Sequence, residues 1–163
     1  MSISAISRRY AKALVNLGAE QKMVEQFGEE LTNVASVFAA EDLLRLMLES
    51  PTFPLVKKTA ILNEITDTMK LSGGLKNFLG LLLENDRLKY LPQIEGDYRK
   101  LADELSGVLR ARLKTASALD QGQTGAIASA LEKKTGKRID IKVEVDPSLI
   151  GGLQAEIAGQ LFA

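Results

Sequence analysis

The chain has 163 residues, enough for one domain or two small ones at roughly 150 residues per domain. Lys plus Arg and Asp plus Glu each number 21, so the formal net charge is zero, which disfavours a whole-chain electrostatic grip on nucleic acid or acidic membrane. There is no Cys, His or Trp, which removes thiol nucleophiles, disulfides, Cys/His zinc sites, His-ligated haem and every catalytic triad built on imidazole.

At the N-terminus Arg8, Arg9 and Lys12 precede any acidic residue, a composition shared with organelle transit peptides. The apolar residues Ile3, Ile6, Tyr10, Leu14 and Leu17 nevertheless recur at steps of three and four, which favours a helix of the mature fold. Gly18 is expected to end it. Val24, Phe27, Leu31, Val34 and Phe38 mark a second apolar stripe. Asp42 is expected to cap a short third helix, which Ser50-Pro51-Thr52-Phe53-Pro54 breaks because proline cannot continue the hydrogen-bond ladder. A fourth helix runs through Val56, Ala60, Ile61 and Ile65, and Ser72-Gly73-Gly74 starts a fifth that ends near Asn85-Asp86. A sixth, through Leu91, Ile94, Tyr98, Leu101 and Leu105, stops at Ser106-Gly107. Short connections between so many helices make an antiparallel bundle the default packing.

At Val108 the period changes from about 3.6 to 2. Leu109, Ala111, Leu113 and Thr115 alternate with Arg110, Arg112 and Lys114, predicting a half-buried strand with a basic outer face. Asp120 can cap a helix through Ile127, Ala130 and Leu131 that Gly136 ends. Ile139, Ile141, Val143 and Val145 alternate as a second strand, and Leu153, Ala155 and Ile157 as a third after Asp146-Pro147 and Gly151-Gly152. The expected fold class is mainly α: a six-helix antiparallel bundle over residues 1–106, then a small α/β module over 107–163.

Few constellations carry chemistry. No GxxxxGK[S/T] or GxGxxG occurs, and adjacent carboxylates such as Glu29/Glu30 or Asp103/Glu104 diverge by roughly 100° on a helix, so neither a phosphate cradle nor a shared proton site is present. No catalytic residue, cofactor site, metal site or small-molecule substrate is expected. Lys133, Lys134, Lys137 and Arg138, with Gly122-Gln123-Thr124-Gly125 upstream, form the one patch compatible with RNA; cations complementing a helix C-terminus explain it better, so no nucleic-acid partner is expected. No stretch approaches the ~20 apolar residues of a membrane span.

The fifth helix is more informative. Leu75, Phe78, Leu79, Leu81, Leu82 and Leu83 spread over roughly 200° of its wheel, more than one bundle core requires. Leu75 and Leu82 sit centrally, with Leu79 and Leu83 on one flank and Phe78 and Leu81 on the other. Either the Phe78/Leu81 flank is open to another chain, or the helix is central and buried all round. On the first helix, small Ala13 beside Tyr10 suits close approach of a partner helix.

Arg9-Tyr10-Ala11-Lys12-Ala13-Leu14, Ser50-Pro51, Glu84-Asn85-Asp86-Arg87-Leu88 and Asp146-Pro147-Ser148-Leu149-Ile150-Gly151-Gly152-Leu153, in this order, resemble the delta subunit of bacterial F-type ATP synthase, the counterpart of the mitochondrial oligomycin-sensitivity-conferring protein. The resemblance covers essentially the whole chain. It implies a non-catalytic stator subunit of the peripheral stalk, on the cytoplasmic face of the bacterial inner membrane without inserting into it. The N-terminal bundle of such a subunit binds the N-terminal helix of an alpha subunit in a groove between the first and fifth helices, and its C-terminal module binds the C-terminal region of the b-subunit. Carried onto this sequence, the groove candidates are Tyr10, Ala13, Phe78 and Leu81, while Arg110, Arg112 and Lys114 are candidates for facing the stalk. Family members continue past the position matching Leu161-Phe162-Ala163 with a further strand and a closing helix, so an incomplete C-terminal module is expected. The competing class is a helical RNA-binding factor of the transcription-antitermination type, which would show a basic surface.

Overall fold

The computed structural model describes residues 2–149, 153–157 and 160–162. Helices α1 (Ile3–Gln21), α2 (Val24–Ala40), α3 (Asp42–Glu49), α4 (Leu55–Thr68), α5 (Gly73–Glu84) and α6 (Leu91–Ser106) come first, with a 3-10 turn at Leu88–Tyr90 leading into α6. Strand β1 (Val108–Thr115), helix α7 (Gln121–Thr135) and strands β2 (Arg138–Val145), β3 (Leu153–Ile157) and β4 (Gln160–Phe162) follow. The architecture is the helical bundle plus small α/β module that the change of period implies. By contacts the chain divides into Met1–Ala102 and Asp103–Ala163. The last turn of α6 belongs with the second unit, where the Asp103 carboxylate accepts hydrogen bonds from Arg110 Nε at 2.6 Å and Nη2 at 3.0 Å.

The first unit is cored by one apolar cluster. Ala11 and Leu14 of α1, Phe27, Leu31 and Val34 of α2, Leu62 of α4, Leu75, Leu79 and Leu82 of α5, and Leu91, Ile94 and Tyr98 of α6 are all buried to within 2% of their surface. On α1, α2, α5 and α6 these positions are three, four or seven apart, the spacing that gathers apolar side chains on one face.

Two local expectations are corrected. Gly18 does not end α1. The helix runs on to Gln21, where Lys22 takes the left-handed conformation (φ 58°) and the Met23 N–H donates to the Gly18 carbonyl at 2.7 Å. Gly18 is instead a contact glycine, since a Cβ there would stand 3.1 Å from Val24 Cα and 3.2 Å from Phe27 Cδ2. Asp42 does not cap α3; Glu41 occupies that position, and Asp42 lies in the first turn paired with Arg45 at 2.5 Å. On α4 the buried face is Lys58, Leu62 and Thr66, so Val56 is 81% exposed, because the helix begins at Leu55 and turns its first residues outward.

In the second unit the sheet order is β2-β1-β3-β4. β1 and β2 are parallel, from Val108 opposite Arg138 to Thr115 opposite Val145, and α7 makes the crossover such a pair requires. β3 runs antiparallel to β1, and β4 to β3. Ala111, Leu113 and Thr115 of β1 are buried as the alternation predicts. Ile139, Ile141 and Val143 are half-buried, whereas Val145 is 52% exposed at the end of its strand, against the Asp146 turn. α7 is capped at both ends as expected. Asp120 Oδ1 accepts from the Gln123 N–H at 2.7 Å while Gln123 Oε1 accepts from the Asp120 N–H at 3.1 Å, and Gly136 closes the helix at φ 72°. Ile150, Gly151, Gly152, Ala158 and Gly159 lie outside the described residues.

Candidate functional site: a groove between α1 and α5

α1 and α5 run antiparallel. Near one end Tyr10 of α1 meets Phe78 of α5 edge-on, with ring centroids 6.3 Å apart and planes at 73°, and Asn85 Nδ2 donates to the Tyr10 hydroxyl at 3.2 Å. Near the other, Gln21 Oε1 lies 3.7 Å from where a Cβ on Gly74 would be. Between them the two helices present an open seam. Ala13 is exposed, Tyr10 and Leu17 are half-buried, and Leu81 is 46% exposed. Phe78 differs from its neighbour Leu81: it is only 8% exposed and forms the floor rather than a wall. Tyr10 and Phe78 are in contact, with Ala13 and Leu81 exposed on the same two helices.

α5 is fixed from beneath. A Cβ at Gly74 would stand 2.7 Å from Phe27 Cζ, so only glycine admits α5 this close to α2. The Glu30 carboxylate of α2 accepts the Ser72 N–H and, at 2.7 Å, the Ser72 hydroxyl. An anion at a helix N-terminus is favoured by the helix dipole. At the far end Asp86 is left-handed (φ 56°) and the Arg87 N–H donates to the Leu82 carbonyl at 2.7 Å, which satisfies the last turn. Glu30 had no sequence signal. Asn85 did, lying seven residues after Phe78 on the same stripe.

The second candidate set is placed differently. Arg110 pairs with Asp103 and, through Nη1, with Asp140 Oδ2 at 2.9 Å. The hydrogen bonds to Asp103, opposed by partial desolvation, raise the guanidinium's pKa further above its ordinary value. Arg112 Nε lies 3.7 Å from Glu144 Oε1, and Lys114 stands opposite Glu144 in register. The Arg110, Arg112 and Lys114 stripe is thus interleaved with acids of the same sheet. Asp146, held below the usual carboxylate range by hydrogen bonds from the Ser148 hydroxyl and N–H, shapes the turn after β2.

Chemical alternatives find little footing. Among the described residues no group of three or more Asp or Glu side chains could hold a metal ion, and no helix is long and apolar enough to cross a membrane. A cleft of about 70 Å³ beside Phe38, Leu48 and Leu91 is far below the ~300 Å³ at which ligand pockets begin. Gly122 and Gly125 lie in the first turns of α7, after a strand, rather than in a loop between helices, so the RNA-binding alternative is not supported. α3 carries a further apolar surface that the sequence reading overlooked: Leu43 and Leu46 are 70% and 66% exposed, although the short apolar run around them was legible.

Comparison with known proteins agrees with the architecture. Residues 6–162 match the family described as ATP synthase delta (OSCP) subunit. The chain is 44% identical over 162 residues to ATP synthase subunit delta of Geotalea uraniireducens, covering 99% of this chain and 90% of that protein. It is 46% identical over 154 residues to ATP synthase subunit delta of Trichlorobacter lovleyi, covering 94% of this chain and 86% of that protein. The fold matches a chain in the cryo-EM structure of the Toxoplasma gondii mitochondrial ATP synthase hexamer, with a TM-score of 0.64 and 22% identity over 91% of this chain and 83% of that one. With the family model matching nearly the whole length of the chain, the chain belongs to the ATP synthase delta (OSCP) subunit family.

Proposed function

We propose that the α1/α5 groove holds an amphipathic helix from the N-terminus of an ATP synthase alpha subunit, and that the α/β module meets the C-terminal region of the b-subunit. As a member of its family the chain is a non-catalytic, structural component of the peripheral stalk of F-type ATP synthase. It resists the torque on the catalytic head while the rotor turns, so that ion translocation and ATP synthesis or hydrolysis stay coupled. The cytoplasmic face of a bacterial inner membrane is the location that fits this role.

One observation carries the reading: an open apolar seam on a rigidly supported pair of helices. A static connector must hold by buried apolar area, worth roughly 25 cal/mol per Å². That area becomes affinity only when little ordering is needed on binding. α5, fixed at its N-terminus by Glu30 and fitted against Phe27 by Gly74, supplies such a surface. On the α/β module the ion-paired Arg110 and Arg112 are less available than Lys114, and the proposed stalk contact involves this stripe as a whole.

Calorimetry of the full chain with a synthetic alpha-subunit N-terminal peptide tests the groove. Ala13→Leu fills the exposed seam and Leu81→Ala removes an exposed wall, so each should leave the melting curve in place. Each should weaken binding about tenfold, the worth of one leucine-sized apolar contact. Unchanged affinity in both variants overturns the assignment. Phe78→Ala is a poorer probe, because that ring belongs to the core.

A further inference from the structure

We propose that Asn85 is a positioning residue of the groove, a polar latch that holds the Tyr10 ring in one orientation before a partner helix arrives. The inference rests on the reading of the groove as a helix-binding site. Tyr10 is only half-buried. An unsupported ring on a helix flank samples more than one rotamer, and ordering it on association subtracts from affinity.

Two contacts remove that freedom. The ring stands edge-on to Phe78, and its hydroxyl accepts a hydrogen bond from Asn85 Nδ2 at 3.2 Å. Phe78 and Asn85 are seven residues apart, about two turns of α5, so these contacts direct the ring's long axis along α5 and away from exposed Ala13. The seam over Ala13 therefore stays open.

The latch is itself anchored. Asn85 is the C-cap of α5, its backbone N–H donates to the Leu81 carbonyl at 3.1 Å, and the next residues close the helix through the Arg87 to Leu82 hydrogen bond. On the other side, α1 is tied down by the buried Ser7 hydroxyl, which donates to Asp97 Oδ2 at 2.6 Å. Asn85 has φ −91° and ψ 6°, the negative-φ conformation of a type I turn's third residue and not the left-handed region, so its side chain can be changed without requiring glycine at the cap.

The first measurement needs no partner. With Tyr ring signals of the full chain assigned by single Tyr→Phe substitutions, χ1 couplings of Tyr10 should report one rotamer in the unaltered chain and averaging in Asn85→Ala. Averaging already present in the unaltered chain overturns the latch. The second measurement is a double-mutant cycle on affinity for the alpha-subunit peptide. Asn85→Ala and Tyr10→Phe should each weaken binding about fivefold, the worth of one neutral hydrogen bond, with the double variant no weaker than either single one. Asn85→Asp can accept the Tyr10 O–H in the reverse sense and should recover most of the loss. Additive losses, or no recovery by Asp, count against the latch. If the unaltered chain does not bind the peptide, the reading of the groove fails, while the rotamer measurement still decides the latch. Circular dichroism melting of each variant guards against a folding defect.

Discussion

The two units of this chain reach order by different means. In the first, side chains from all six helices converge on a cluster in which Phe27, Leu31, Val34, Leu75, Leu79, Leu82 and Ile94 have no exposed surface. In the second, the buried side chains among the described residues are Ala111, Leu113 and Thr115, and α7 buries none completely. What holds the second unit is the sheet ladder, the capping box of α7 and the ion pairs on the outer face of β1. A packed interior transmits strain and has low compressibility. The proposed groove is thus built on the unit with the deep core, while the thinly cored module depends more on directional polar contacts.

The sharpest way to break this comparison is to truncate one apolar side chain in each unit. Phe27 is fully buried and fills the space left by Gly18 and Gly74, so Phe27→Ala should cost about 3–5 kcal/mol in chemical denaturation. Half-buried Leu131 of α7 should cost only about 1 kcal/mol when cut to Ala. Equal costs would mean that the module has a core as demanding as the bundle's.

Overpacking should hurt the same place. Gly74→Ala sets a Cβ 2.7 Å from Phe27 Cζ, and because that ring is fully buried, room for the Cβ must be made by moving core side chains or α5 itself. About 1–3 kcal/mol should be lost, and affinity for the alpha-subunit peptide should fall with stability to the extent that α5 moves. Gly80, where a Cβ meets nothing within 4 Å, is the control: Gly80→Ala should be neutral or slightly stabilising, as in any exposed helix interior.

The contact glycines show how far the sequence could be read. Helix existence was legible because the apolar spacing of α1, α2, α5 and α6 is imposed by the backbone period, and β1 and β2 announced themselves by alternation. The role of Gly18 was not legible, since a glycine at a contact and a glycine at a helix end look alike until the facing Val24 and Phe27 are known. The wheel of α5 exposed an over-wide apolar arc but could not say that Phe78 turns inward while Leu81 stays open, because that depends on where α1 lies. Likewise the basic stripe of β1 read as a free surface, and its neutralisation by Asp140 and Glu144 required the parallel register with β2. Local periodicity is written in the chain, whereas partners distant in sequence are not.

Tyr98 gives a smaller effect with a pH signature. Its side chain is 2% exposed, and the hydroxyl donates to the Val24 carbonyl at 2.5 Å. Burial pushes its pKa up to about 12. In the unfolded chain a tyrosine loses its proton near pH ~10, so below that pH the contribution is complete. Between these values the unfolded state releases its proton first, and stability falls as pH rises toward about 12. Tyr98→Phe should cost about 1 kcal/mol at neutral pH by leaving the Val24 carbonyl without this donor. It should also make the alkaline limb of stability against pH shallower than in the unaltered chain, and parallel limbs would show that Tyr98 keeps no proton advantage on folding.

The smallest effect belongs to the second unit and tests the other half of the comparison. Arg110 joins the last turn of α6 to β1 through Asp103 and joins β1 to β2 through Asp140, yet its side chain is 53% exposed. Exposed pairs are worth under ~1 kcal/mol each and are screened by salt. Arg110→Gln should therefore destabilise the module by no more than about 1 kcal/mol in low salt, with the difference shrinking toward zero near 1 M NaCl. Arg110→Lys should fall between the two, because an ammonium cannot reproduce the two-pronged contact that Nε and Nη2 make with Asp103. A loss that survives high salt would mean that the guanidinium acts by packing its stem across the strands, and the module would then resemble the bundle in what holds it together. A loss that vanishes with salt keeps the two units distinct: one is sealed by apolar contact, and the other is held by charges that a partner bearing its own carboxylates could compete for.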